Sequence, residues 1–177
     1  MIDLKNYKAT RQWNIDRGYA FKLVPELEND MLEEEKKEFF DAYELYIPLK
    51  NEGKPETQDS RVDLAVDMID ALCDYTFVAV GTDTKSQMTS LDVETQIEIS
   101  AIKNNAEKMM QVIGTLLIDV VGAKVDLNKC YGFVVEANNL KPAKANADGK
   151  GTKGDKWVDP KHNIKDYLES LNIREYI

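Results

Sequence analysis

The chain has 177 residues, of which 43% are hydrophobic, so residues 1–177 can form one domain with its own core but not two. Its formal net charge of −9 disfavours binding to a DNA or RNA polymer, because an acidic surface repels phosphate backbones. No apolar run approaches the roughly 20 residues that span a bilayer, and the N-terminus lacks the apolar part of a signal peptide. Cys73 and Cys130 form no disulfide framework, so we expect a cytoplasmic protein without a membrane partner.

The pattern is helical almost throughout and predicts an all-α fold, a bundle of four to five helices. Residues 1–24 are a mixed N-terminal segment. The first long helix is predicted to start near Pro25 and to stop before Pro48, because the residue before a proline resists the α conformation. Residues 48–60 are rich in Gly, Pro and Asn and predict a loop.

A second helix is predicted from Ser60, a good capping residue, to Gly81. A third helical region begins near residue 90 and continues to residue 121, with a break predicted at Gly114. A shorter helix covers residues 127–141. The first two long helices are therefore predicted to be consecutive in the chain.

The second predicted helix is apolar at most positions, yet four aspartates recur inside it. They are Asp63, Asp67, Asp70 and Asp74. Their i, i+4, i+7, i+11 spacing places all four on one narrow stripe, where partial burial would add a desolvation cost to their mutual repulsion. The stripe therefore needs a compensating cation, which can be a lysine or arginine of another helix or a metal ion.

The first long helix carries three glutamates within its apolar stripe: Glu34, Glu35 and Glu38. The predicted apolar positions of that stripe are Leu27, Met31, Ala42 and Leu45. Taken alone, LEEEKKEF is the usual pattern of a solvated helix face, but such a face avoids the core side. Two acidic seams on adjacent helices instead predict a metal site between the two long helices, with carboxylate ligands that suit Mg²⁺ or Mn²⁺.

A basic segment stands out near the C-terminus of this acidic chain. Asn138 and Lys141 end the short helix, and residues 142–160 form a Gly- and Lys-rich stretch without periodicity that contains Lys150 and Lys153. Lysines bind phosphate as point charges, and glycines let backbone N–H groups approach phosphate oxygens, although a solvated loop has the same composition. A last helix is predicted over residues 160–171, with proline in its first turn.

At these motifs the sequence resembles the MazG-like nucleotide pyrophosphohydrolases, an all-α group that includes phosphoribosyl-ATP pyrophosphohydrolase and the dimeric all-α dUTPases. MLEEEKKEFFDAY is similar to the first acidic motif of this family, in which Glu35 and Glu38 match ExxE. EANNLKPA and DGKGTKGDKWVDP are similar to its Asn-x-x-Lys and DGK segments. The resemblance covers roughly residues 25–165.

DALCDYTFVAVGT is similar to the second acidic motif of the family, and Asp74 matches the family's aspartate. The family usually has a glutamate three residues earlier, where this chain has Ala71. Another register places the acidic pair at Asp67 and Asp70. Both registers place the ligands on the same stripe.

The resemblance implies hydrolysis of a nucleoside triphosphate between the α and β phosphates, for housecleaning or for control of the nucleotide pool, by a homodimer or a dimer of dimers. The implied ligands of Mg²⁺, or of Mn²⁺, are Glu35, Glu38, Asp67, Asp70 and Asp74. The implied catalytic residues are Glu34, Glu35 and Glu38, with Glu34 or Glu35 as general base. The implied substrate-binding residues are Asn138, Lys141, Lys150 and Lys153.

Other functions remain open at this point. The chain could be a non-catalytic helical protein that binds a metal, a nucleotide or a partner, and the Ala71 substitution leaves room for this alternative. Among enzymes, phosphoribosyl-ATP hydrolysis and dUTP hydrolysis are the alternatives. A di-iron carboxylate bundle is disfavoured, because it requires Glu-x-x-His motifs on two helices and His162 is the only histidine.

Overall fold

The computed structural model describes residues 2–142 and 153–177, and within these ranges the chain forms six α-helices and no β-strand. Their bounds are Leu4–Asp16 (α1), Pro25–Glu52 (α2), Gln58–Met88 (α3), Val93–Val121 (α4), Leu127–Asn139 (α5) and Pro160–Ser170 (α6). The all-α class is therefore confirmed, and the described ranges contain one helix more than the four or five predicted. Lys150 lies outside the described residues.

Helix α3 is the centre of the fold, because it packs against each of the other five α-helices. Its buried side chains form the main hydrophobic core together with Phe39 and Tyr46 of α2, Leu117 of α4 and Tyr131 of α5. A helix that is apolar around most of its circumference is one that is covered on most sides. This position explains why the α3 sequence is apolar almost throughout.

Helices α2 and α3 are antiparallel neighbours, and α2 is longer than the sequence predicts. The predicted end before Pro48 is wrong, since α2 continues to Glu52 and is terminated by Gly53 at a φ of 62°. Pro48 removes the backbone hydrogen bond to the Glu44 carbonyl, but both residues are exposed, so water can satisfy that carbonyl. Leu45, predicted to lie on the apolar stripe, is 63% exposed. The buried residues of α2 are Glu28, Leu32, Phe39, Ala42 and Tyr46.

Helix α3 also extends beyond its predicted bounds, from Gln58 to Met88, so that Gly81 is an interior residue and not the end of the helix. A Cβ atom on Gly81 would lie 3.3 Å from Oδ1 of Asn14 in α1. Asn14 is held in place because its Nδ2 donates to the Thr10 carbonyl at 2.9 Å. The glycine is therefore a packing requirement at the contact between α1 and α3.

Helix α1 lies within residues 1–24, where the sequence predicts only a mixed segment. Asp3 caps it by accepting a hydrogen bond from the Asn6 backbone nitrogen at 2.8 Å. The buried face of α1 is mostly polar, so the helix lacks the regular spacing of apolar residues by which a sequence predicts one. The Asn6 side chain donates to the Asn128 carbonyl at 2.8 Å, and the hydroxyls of Thr10 and Tyr131 lie 2.8 Å apart.

The remaining helices follow their predicted positions more closely. Helix α4 begins at Val93 and passes Gly114 without the predicted break. Helix α5 ends at Asn139, and α6 begins at Pro160, where the Asp159 side chain accepts from the Lys161 backbone nitrogen at 3.0 Å. In the part of the chain that is described, no helix combines the length and apolar character needed to cross a membrane.

Two glycine substitutions test how tightly α1 packs on α3. We expect Gly114→Ala to raise the free energy of unfolding by about 0.5–1 kcal/mol, because no heavy atom lies within 4 Å of the new Cβ and alanine favours a helix interior. Gly81→Ala should instead lower it by about 1 kcal/mol, because the new methyl group crowds Asn14. Urea unfolding of both variants measures the difference, and equal stabilisation by both would show that the α1–α3 contact is not tight.

Candidate functional site

A cleft of about 570 Å³ opens between α2 and α3, and its wall also includes residues of α1, of the 18–24 segment, of the end of α5 and of the start of α6. Eight of the residues singled out in the sequence line it. They are Glu34, Glu35, Glu38, Asp70, Asp74, Asn138, Lys141 and Lys153. Asp67 is not part of this lining. The cleft thus brings together acidic residues of α2 and α3 and basic residues that lie about 70 positions after the aspartates of α3 in the chain.

The α2 side of the cleft is formed where glutamates interrupt the buried face of the helix. Glu35 is partly buried and occupies the position between Leu32 and Phe39, both of which are buried. Glu34 and Glu38 are exposed at the edge of this face and line the cleft. The glutamates therefore lie at the junction with α3 and not on the outer surface of the bundle.

The aspartate stripe on α3 becomes more buried from Asp63 to Asp70, and its first half is paired with lysines of α6. Asp63 is exposed and lies 2.6 Å from Nζ of Lys165. Asp67 lies 2.8 Å from Nζ of Lys161, and the same ammonium is 3.8 Å from Asp70. Lysines therefore compensate the charge near the start of the stripe, whereas its second half faces the cleft.

Asp70 bears the largest electrostatic cost in the stripe. Its residue is 9% exposed, and its Oδ1 is buried without a hydrogen-bond partner among the described residues. Burial, and then the nearby charge of Asp74, raises the pKa of Asp70 to about 7, although Lys161 opposes the shift. Burial also raises the pKa of Asp74 to about 6, against the effect of Lys141. Burial therefore disfavours the charged form of both carboxylates near neutral pH, despite the lysines close to them.

The basic wall of the cleft contains Lys141, Lys153 and Lys161. Burial lowers the pKa of Lys141, and the charge of Asp74 partly offsets this effect. The ammonium of Lys153 lies 4.0 Å from the centre of the Trp157 ring, a cation–π distance. Lys161 is a member of this wall that the sequence analysis does not identify, because a lysine in a first helical turn carries no signal of its own.

Trp13 of α1 and Arg17, the residue that follows α1, hold the end of α5 and the residues after it, including Asn138 and Lys141, against the cleft. The indole Nε1 of Trp13 donates to the Asn138 carbonyl at 2.9 Å. The Arg17 guanidinium donates to the carbonyls of Lys141 at 3.1 Å and Asn139 at 3.3 Å. The Asn138 side chain is buried, and its Nδ2 donates to the carbonyl four residues earlier at 3.0 Å. These contacts position the Asn-x-x-Lys segment, and no sequence pattern reveals the part played by Arg17.

A buried ion pair lies at the end of the cleft away from the aspartates. Glu28 is 1% exposed, and its two oxygens accept from Nζ of Lys85 at 2.6 Å and from Oγ1 of Thr82 at 2.8 Å. Glu28 and Lys85 both line the cleft. Sequence reasoning misses this pair, because a glutamate in the first turn of a helix is ordinary.

The donor set in the cleft fits a hard divalent cation. Among residues 2–142 and 153–177, no three Asp, Glu, His or Cys side chains stand together at metal-ligand spacing. The carboxylates nevertheless supply only oxygen donors, and Asp70 has a buried oxygen that lacks a partner among these residues. A cation that contacts Asp70 and Asp74 would remove the electrostatic cost that raises both pKa values.

No protein-family model, no curated protein and no solved structure matches the chain. A functional assignment for this chain therefore rests on its own residues and on the geometry of the cleft.

Proposed function

We propose that the chain hydrolyses a nucleoside triphosphate between its α and β phosphates, giving a nucleoside monophosphate and pyrophosphate, as its resemblance to MazG-like pyrophosphohydrolases implies. The observation that carries this proposal is the meeting of carboxylates and lysines in one cleft. Carboxylates alone would suit a cation, and lysines alone would suit an anion. Both together suit a polyphosphate bound with a divalent cation.

The residues proposed to hold Mg²⁺, or Mn²⁺, are Glu35, Glu38, Asp70 and Asp74. When bound, such an ion neutralises phosphate charge and makes the phosphorus more electrophilic. Asp67 is the weakest of the ligands considered, because it is paired with Lys161 and does not line the cleft. Ala71 is buried in the core, so Asp70 is the acid of this turn that reaches the cleft.

The side chains on the two sides of the cleft have different proposed roles in the reaction. Glu34 or Glu35 takes a proton from the water that attacks the α-phosphorus. The bond from that phosphorus to the bridging oxygen breaks, and pyrophosphate leaves with the electron pair. Lys141 and Lys153 neutralise the leaving pyrophosphate, and Asn138 can offer the N–H that it does not use within α5.

A homodimer is part of the same proposal. Helix α4 exposes several large apolar side chains, including Val93 at 72% and Ile97 at 68%. Exposed apolar residues that lie one turn apart on a helix are typical of a surface that another subunit covers.

One observation favours a second candidate, a helical protein that binds nucleotide or a partner without turnover. Lys161 lies where it neutralises Asp67 and approaches Asp70, so a lysine already serves as counter-ion for part of the stripe. In that case the stripe would join α3 to α6 and would not need a metal for activity. The two candidates differ in their requirement for Mg²⁺ and in the release of pyrophosphate.

The purified protein should release pyrophosphate from canonical or modified nucleoside triphosphates with Mg²⁺ and not with EDTA. The reason is that the carboxylates of the cleft need a cation before they can bind phosphate oxygens. The measurement is an assay of pyrophosphate against orthophosphate over a panel of NTPs and dNTPs. It includes dUDP, because the all-α dUTPases also cleave diphosphates. Absence of turnover on every nucleotide would favour the non-catalytic candidate.

Glu38→Gln and Asp74→Asn should each reduce Mg²⁺-dependent turnover by at least about a hundredfold, because each removes a proposed cation ligand while keeping side-chain size. Asp63→Asn is the matched control, since Asp63 belongs to the same stripe but is paired with Lys165 outside the cleft. Circular dichroism checks that all three remain helical. Full activity of both cleft variants would contradict the proposed metal site.

Asp70→Asn should raise the melting temperature in EDTA, because it removes a buried carboxylate whose charged form is destabilised by burial. The same substitution should abolish the stabilisation that Mg²⁺ gives the wild type, because it removes a proposed cation ligand. The raised pKa values of Asp70 and Asp74 make the folded chain bind more protons than the unfolded chain between about pH 4 and 7. Wild-type stability in EDTA should therefore fall as pH rises through this window, and Asp70→Asn should flatten the decline.

Asp63→Asn again serves as the control, and we expect no rise in its melting temperature. A lower melting temperature for Asp70→Asn in EDTA would mean that the contact with Lys161 stabilises Asp70 more than burial and Asp74 destabilise it.

A further inference from the structure

The cleft continues well beyond its carboxylates, towards the buried pair formed by Glu28 and Lys85. Eleven residues separate Asp74 from Lys85 on α3, which corresponds to roughly 16 Å along the helix axis. The proposed phosphate site uses only the Asp74 end. The Lys85 end is therefore available to the part of the substrate farthest from the phosphates.

Apolar side chains line the cleft between its carboxylates and the Glu28–Lys85 pair: Leu27 and Met31 of α2, and Phe77 and Val78 of α3. Tyr19 and Lys22, from the segment that follows α1, also line the cleft. A mostly apolar pocket with a few fixed polar groups is the usual form of a small-molecule site. Apolar side chains next to a fixed pair of charged groups suit a nucleobase, whose faces are apolar and whose edges form hydrogen bonds.

Burying the charges of Glu28 and Lys85 costs free energy, which a functional role of the pair would explain. Replacing a buried ion pair with apolar residues of similar volume often leaves stability unchanged or raises it. Glu28 is almost fully buried, and the Lys85 side chain is 11% exposed, so both charges have lost most of their water. The pair is also fixed, since Thr82 donates to the second oxygen of Glu28. Such a fixed, desolvated ammonium facing a cleft is suited to recognition.

On the basis of the proposed function, we propose that Lys85, positioned by Glu28, recognises the base, and that the preferred substrates are 6-oxopurine nucleoside triphosphates, with guanine or hypoxanthine as base. An ammonium group only donates hydrogen bonds, and Glu28 takes one of its three N–H groups. A 6-oxopurine presents two adjacent acceptors, O6 and N7, to the remaining donors. Adenine presents a donor, its 6-amino group, in place of O6, and would place donor against donor.

The test compares kcat/KM for dITP and dATP, which differ only in the substituent at C6 and the protonation of N1. We expect the wild type to prefer dITP at least about tenfold, as one good ammonium–purine contact predicts. Lys85→Met should bring the ratio to within about twofold, mainly by lowering the value for dITP. Lys103→Met is the matched control: Lys103 of α4 also pairs with a carboxylate on a neighbouring helix, Asp83 of α3, but it does not line this cleft.

Because Lys85→Met leaves Glu28 buried without its cation, the double variant Glu28→Gln/Lys85→Met is assayed beside it. Melting temperatures of all variants show whether the fold is intact. Loss of the dITP preference in a folded variant supports the proposal. An unchanged preference with a lower melting temperature overturns it, because the pair would then only join α2 to α3.

The two proposals fail in different ways. Turnover of both nucleotides by the wild type without a preference for dITP overturns base recognition by Lys85 and leaves the pyrophosphohydrolase proposal intact. Absence of turnover overturns the proposed function. In that case the dissociation constants for dITP and dATP are measured with Ca²⁺ in place of Mg²⁺. Their ratio still tests whether Lys85 recognises the base, because this measurement requires binding but no turnover.

Discussion

The burial of α3 is the constraint on which the rest of this structure depends. A helix that contacts five others has almost no solvated face, so every charge it carries must find a partner within the fold or at its edge. The aspartates of α3 are therefore not ordinary surface residues. Asp63 and Asp67 find lysines of α6, and Asp70 and Asp74 lie on the wall of the cleft. Helix α6 is held on α3 mainly by its buried Ile164 and Leu168, and its lysines add positive charge beside the first half of the stripe.

The sequence predicts the parts of the fold that repeat with a helical period and misses the parts that depend on single contacts. The acidic stripe of α3 and the glutamates of α2 are recognisable because their spacing conflicts with burial. Pro48, Gly81 and Gly114 each suggest a break that does not occur. Local preferences cost at most a few kcal/mol, and packing along a long helix can outweigh them.

Helix α1, which the sequence does not predict, shows a different limit of sequence reasoning. Its buried residues include Asn6, Thr10 and Asn14, which look solvent-exposed by residue type. They are buried because other chain segments supply hydrogen-bond partners, such as the Asn128 carbonyl and the Tyr131 hydroxyl. Partners more than a hundred residues away cannot be inferred from a local pattern. The roles of Glu28 and Arg17 likewise depend on distant partners, Lys85 on α3 and the Lys141 carbonyl, so no local pattern indicates them.

Lysine–carboxylate pairs occur at both ends of α3, where the lysine belongs to α6 at one end and to α3 itself at the other. Lys165 and Lys161 are held by Asp63 and Asp67, and Lys85 is held by Glu28 at the other end of the helix. Between them, Asp70 and Asp74 have lysines near them, yet their pKa values are still raised. The middle of α3 is therefore where burial disfavours a charged carboxylate most strongly. Under the proposed function, a cation bound there would offset that cost, the pyrophosphate group would lie towards Lys141, and the base would lie towards Lys85.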